Sequence, residues 1–71
     1  MGDLQQRLGR RIRELRAQAG YSQESFGDAC GMHRNMVGAI ERGEQNLTLK
    51  TMQIIARQLK TTVGKLLEGL E

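Results

Sequence analysis

Three glycines divide the first two-thirds of the chain into segments that suit short helices. Gly20, Gly31 and Gly43 each fall where an apolar repeat at steps of three and four stops. Glycine takes up the left-handed backbone that commonly ends a helix, and the repeat is that of a helical stripe. Before Gly20 the stripe is Leu4, Leu8, Ile12, Leu15 and Ala19. After it, Ser22 is a good N-cap, because its hydroxyl accepts from an orphan backbone N–H. A short helix from Gln23 to Cys30 then turns Phe26 and Cys30 inward. A third helix is expected from about His33 to Arg42, with Val37 and Ile40 on its buried side.

Glu44 to Leu47 reads as a polar loop. Thr48 caps a fourth helix carrying Leu49, Met52, Ile55, Ala56 and Leu59. Thr61 and Thr62 break it, and Thr62 caps a final helix with Val63, Leu66, Leu67 and Leu70. The β-branched residues never alternate with polar ones over a useful length, so no strand is expected. The fold class is therefore all-α, five helices in one domain over residues 1–71.

A chain of 71 residues buries only about 60% of its unfolded surface. It has room for one small core, and none for a deep substrate cavity or a separate ligand-binding domain. Tyr21 and Phe26 are the only aromatic residues, which argues against a surface that stacks single-stranded bases. The net charge of +3 permits a nucleic-acid partner without requiring one. Between Arg7 and Arg16 stand five arginines, Arg7, Arg10, Arg11, Arg13 and Arg16, against the single acid Glu14. Such a run is either a solvated face or a source of long-range attraction.

Cys30 is the only cysteine, so no internal disulfide forms, and an unpaired thiol suits a reducing cytoplasm. No segment approaches the ~20 apolar residues of a membrane span, and the first residues lack the apolar run of a signal peptide. Cys30 and His33 stand three apart, but two ligands are too few for a closed zinc site. Core packing is the better role for Cys30. No nucleophile, base and orienting group stand together. No enzyme activity, metal, cofactor or small-molecule ligand is expected.

The most informative stretch runs from Gln23 to Ile40, with its unit closing at Arg42. It reads as a short helix, one glycine and a second short helix, the layout of two helices meeting at roughly 90–120°. Phe26, Cys30, Met32, Val37 and Ile40 pack the pair. His33, Arg34, Asn35 and Gly38 are left polar or small on the outward side. A helix so equipped fits a major groove about 12 Å wide.

These residues resemble the Cro/phage-repressor class of helix-turn-helix proteins, also called the XRE family. The resemblance is carried by Leu8-Gly-Arg-Arg-Ile-Arg-Glu-Leu-Arg16, Ser22-Gln23-Glu24, Gly31, Val37-Gly-Ala-Ile-Glu-Arg-Gly43, and Leu49 through Leu59. Ile40-Glu41-Arg42-Gly43 followed by Asn46-Leu47-Thr48-Leu49 is similar to the small controller proteins of restriction–modification systems. The resemblance implies a lambda-repressor-like bundle and a transcriptional regulator of double-stranded DNA. One departure is Gly27, where the family usually has alanine. Glycine inside a helix costs about 1 kcal/mol relative to alanine, so Gly27→Ala is expected to stabilise the fold.

Arg34 suits guanine N7 and O6, and Asn35 suits adenine N6 and N7, so the resemblance implies that both read bases. Ala39 or Met36 suits a thymine methyl, though Met36 fits the core equally well. Gln23 is implied to bond a phosphate at the positive end of its helix, and His33 has a weaker claim of the same kind. Arg42, Gln45, Asn46 and Lys50 surround the loop that runs beside the DNA backbone in relatives, and some of them are expected to reach phosphate. Arg16 is implied to pair with Glu41 for folding.

The last helix has more apolar residues than a small core should need. Val63, Leu66, Leu67 and Leu70 are expected to divide between the core and a two-fold interface, with the outer side of the fourth helix adding to it. A homodimer would place two reading helices roughly 34–36 Å apart, matching the half-sites of a palindromic operator. The alternative is an antitoxin-like interaction module whose last helix holds a protein partner.

Overall fold

The computed structural model describes residues 2–70. Five helices fold around one core: α1 (Gly2–Gln18), α2 (Gln23–Cys30), α3 (Arg34–Glu41), α4 (Leu49–Gln58) and α5 (Val63–Leu67). No strand occurs among the described residues. Every helix contributes to the core, which holds Leu8 and Ile12, Phe26 and Cys30, Val37 and Ile40, Ile55 and Ala56, Leu66, and Leu70 beyond α5. Tyr21 meets Phe26 edge to face, with ring centroids 5.2 Å apart. The expected stripe of α1 is buried only in its middle: Leu4 is 48% exposed, and Ala19 lies at the surface.

One device ends four of the helices. After α1, the Gly20 N–H bonds the Ala17 carbonyl and the Tyr21 N–H bonds Arg16. The same paired pattern follows α2 at Gly31 and Met32, and α3 at Gly43 and Glu44. These bonds satisfy carbonyls that a helix end leaves orphaned. After α4 the pattern recurs without glycine. The Lys60 N–H bonds Arg57, the Thr61 N–H bonds Ala56, and Lys60 sits at φ 58°. The fourth stop is thus Lys60, ahead of the Thr61–Thr62 pair expected from the sequence. Thr48 and Thr62 cap α4 and α5 as expected.

The last helix is a single short turn. The chain bends at Glu68 and Gly69 and returns Leu70 to the core, 6% exposed. Arginines from α1 hold this end in place. Arg11 Nη1 donates to the Lys65 and Leu66 carbonyls at 3.4 Å, and Arg7 Nη2 reaches Gly69 at 3.5 Å. Within the arginine run, Arg11 therefore meets the last carbonyls of α5, where cations are favoured.

The expectation for Gly27 is overturned. A Cβ placed there would stand 2.5 Å from the Met32 carbonyl oxygen, well inside van der Waals contact. The chain folds back over α2 through the left-handed Gly31 (φ +74°), and the Met32 N–H bonds the Gly27 carbonyl. In this chain a methyl at 27 would force the turn backbone to shift, which outweighs the low helix propensity of glycine.

Candidate nucleic-acid interface

The two helices of the unit are fixed at their starts by side chains. Ser22 Oγ accepts from the Ser25 N–H while Ser25 Oγ accepts from the Ser22 N–H, a reciprocal capping box. His33 caps α3: its Nδ1 accepts from the Asn35 N–H at 3.0 Å. That bond requires a lone pair on Nδ1 and leaves Nε2–H as the outward donor. His33 was expected near the helix start as a phosphate contact. The cap is a role that its side chain gives little sequence warning of, since histidine is not among the usual capping residues.

The cap places Arg34 and Asn35 as the first two residues of α3, both exposed. The opposite face of the helix is held by Val37 and Ile40 in the core. Met36 is half-buried and packs against the core, and Ala39 is half-exposed. Arg34 Nη1 comes 4.0 Å from Glu24 Oε2, with both side chains largely exposed. Such a pair contributes little to stability and leaves the guanidinium available.

Behind this surface lies a buried ion pair. Arg16 Nε donates to Glu41 Oε2 at 2.6 Å and Nη2 to Oε1 at 3.1 Å, and Nη1 donates to the Tyr21 carbonyl at 2.8 Å. Glu41 Oε1 also accepts from Gln23 Nε2 at 3.0 Å. The Arg16 and Glu41 side chains are only 12% and 3% exposed. Glu41 thus ties α1 to α3 and orients the residue that opens α2.

A polar hollow of about 360 Å³ opens between the two helices, lined by Gln23, Arg34, Asn35, Gly38 and Arg42. No carboxylate lines it. Just beyond Gly43, Glu44 turns back on Arg42: Arg42 Nε donates to Glu44 Oε2 at 3.0 Å and Nη2 to Oε1 at 3.1 Å. This pairing holds the Glu44 carboxyl below, and the Arg42 guanidinium above, their ordinary ranges. Nothing in the residue type of Glu44 marks it for a role. The only available signal was its place two residues after Arg42, across a glycine reversal.

Gln45, Asn46 and Lys50 are exposed in the loop and the first turn of α4. Beneath the loop runs a smaller apolar hollow of about 190 Å³, lined in part by Leu4, Leu8, Leu47, Met52 and Leu67. The four residues expected to divide between core and interface differ in burial. Leu66 (0% exposed) and Leu70 belong to the chain's own core, so neither can form an interface, while Val63 and Leu67 are half-exposed. Burial pushes the Cys30 thiol up, away from a reactive thiolate. Among the described residues no three His, Cys, Asp or Glu side chains gather to hold a metal. No helix there is long and apolar enough to cross a membrane.

Comparison with known proteins places this geometry. The family profile described as Helix-turn-helix matches residues 12–66. Control protein C.SmaI of Serratia marcescens is 40% identical over 71 residues, covering 97% of this chain and 84% of that protein. Control protein C.MunI of a Mycoplasma species is 31% identical over 72 residues, covering 100% and 97%. Among solved structures, the restriction–modification controller protein C.AhdI from Aeromonas hydrophila superposes with a TM-score of 0.83. It is 38% identical and covers 90% of this chain and 91% of that one. These relatives are regulators rather than enzymes. The chain belongs to the helix-turn-helix family of the Cro/phage-repressor class, whose members are DNA-binding transcriptional regulators.

Proposed function

We propose that this protein is a cytoplasmic controller-type regulator that binds a palindromic operator as a homodimer and sets transcription at a restriction–modification locus. The N-terminal half of α3 enters the major groove. Arg34 and Asn35 read base edges there, and Ala39, with Met36 at the margin, meets a thymine methyl. Gln23, His33, Arg42, Gln45, Asn46 and Lys50 serve the backbone. The observation that carries this reading is the state of α3: one face is locked into the core, while its first two residues present a guanidinium and an amide to solvent.

The similarity to control proteins over nearly the full length of this chain supports the locus. For the dimer, Val63 and Leu67 remain partly at the surface, and Leu49 on α4 is 63% exposed. The antitoxin-like alternative needs a broad apolar face on the last helix, and the burial of Leu66 and Leu70 removes half of it. Selection of bound sites from a random duplex pool tests the proposal. Enriched inverted repeats are expected, with half-sites one helical turn apart. No enrichment at low salt would overturn it.

A further inference from the structure

Residues 34, 38 and 42 stand at steps of four on one face of α3. Helical side chains lean toward the N-terminus, so Arg42 reaches back over Gly38. Its Nη1 lies 3.1 Å from the point where a Cβ on Gly38 would stand. Gln23 arrives at the same place from α2, with Nε2 and Oε1 each 3.7 Å from that point. Glycine at 38 is the floor on which both side chains rest.

Each of these two donors is held by a different glutamate. Glu44 takes the Nε and Nη2 edge of Arg42. The Nη1 hydrogens and the second on Nη2 are left, since a guanidinium carries five N–H donors. Glu41 takes one hydrogen of Gln23 Nε2 and leaves the other. Two side chains with donors to spare therefore meet over Gly38, in a hollow whose lining includes Arg34 and no acid. That is the arrangement for an oxyanion with several acceptor oxygens.

We infer that Glu44 is a positioning residue for DNA: it fixes Arg42 over Gly38, so that Arg42 and Gln23 together cradle one backbone phosphate. The inference rests on the DNA-binding reading above and goes beyond it in giving an acidic residue a supporting role. Simple charge counting says the reverse, because an acid near a polyanion repels it. The geometry opposes that count: a free arginine loses rotamer freedom when it grips a phosphate, and Glu44 has already restricted Arg42 in the useful orientation.

The experiment uses the full chain with an operator duplex taken from site selection. It compares wild type, Glu44→Ala, Arg42→Ala and the double variant by fluorescence anisotropy across a salt series. Glu44→Ala is expected to weaken binding about threefold to fivefold, although it makes the protein one unit more positive. Arg42→Ala weakens it further and flattens the salt dependence by about one unit of slope. The double variant matches Arg42→Ala. Replacing backbone phosphates singly by neutral methylphosphonates finds one position per half-site where wild type and Glu44→Ala bind alike.

Tighter or unchanged binding by Glu44→Ala overturns the inference. So does an added loss in the Arg42→Ala background, or a methylphosphonate scan with no such position. Circular dichroism melts check that the variants fold; Glu44 lies on an exposed turn, so little change is expected. Failure of the wild-type protein to bind any duplex at low salt overturns the proposed function itself, which is a different result.

Discussion

Arg16 and Glu41 meet through two hydrogen bonds, 2.6 and 3.1 Å long, with neither side chain more than 12% exposed. A buried pair of this kind is weak evidence for net stability, but breaking it strands a charge. Glu41→Ala leaves the Arg16 guanidinium with only the Tyr21 carbonyl. A loss of roughly 3–5 kcal/mol is expected, read as a lower urea midpoint. A loss under about 1 kcal/mol would mean that water reaches Arg16 and the pair behaves as a surface one.

Gly27→Ala is expected to lower the melting temperature. Its propensity gain of about 1 kcal/mol is outweighed by a methyl carbon 2.5 Å from a backbone oxygen that is itself part of the turn. Differential scanning calorimetry decides the sign. A rise would show that the α2–α3 turn opens without cost.

Lys60 occupies the left-handed position that glycine fills after the first three helices. A side chain there costs about 1 kcal/mol or more. Lys60→Gly should recover part of that, about 0.5–1 kcal/mol, and raise the melting temperature by a few degrees. No change would indicate that Lys60 makes a compensating contact.

The roles proposed for Arg34 and Lys50 separate reading from holding. Arg34→Ala should cost about 1–3 kcal/mol of operator affinity and relax preference at one base pair. Lys50→Ala should weaken all duplexes alike and reduce the salt slope by up to about one unit. Binding measured against a panel of single-substitution operators distinguishes them. Uniform weakening by Arg34→Ala would make it a phosphate contact.

Gly38→Ala should move stability and binding in opposite directions. Alanine favours the helix by about 1 kcal/mol, while its methyl displaces the Arg42 guanidinium now lying 3.1 Å away. A higher melting temperature with weaker operator binding is expected from parallel thermal and anisotropy measurements. Unchanged binding would show that the floor over residue 38 has no part in holding DNA.

The helices were legible because their ends carry chemistry that acts locally. Ser22, Thr48 and Thr62 announce starts, and Gly20, Gly31 and Gly43 announce stops. Lys60 was not legible as a stop, since nothing in a lysine signals φ 58°. The cap by His33 and the need for glycine at 27 both depend on where the turn through Met32 places its backbone, which no spacing rule supplies. At the C-terminal end, periodicity marked Val63, Leu66, Leu67 and Leu70 without telling which of them go inside. The bend at Gly69 turns Leu70 back, so that Leu66 and Leu70 lie inside while Val63 and Leu67 stay near the surface. Arg34 and Asn35 stood out by residue type. Glu44 did not, because its contact with Arg42 exists only after the chain reverses at Gly43.

The recurring stop after α1 to α4 bears on how quickly the chain becomes competent. Each closing bond pair spans only three to five residues, so helix lengths are settled before distant parts meet. Chains dominated by such local contacts fold in about microseconds to milliseconds, against seconds or more per polypeptide for synthesis at ~5–20 residues per second. Folding therefore adds no appreciable lag between translation and the appearance of a working surface. If the chain acts as the proposed homodimer and its abundance sets its activity, the delay in a genetic circuit lies in making the chain and in two chains finding each other.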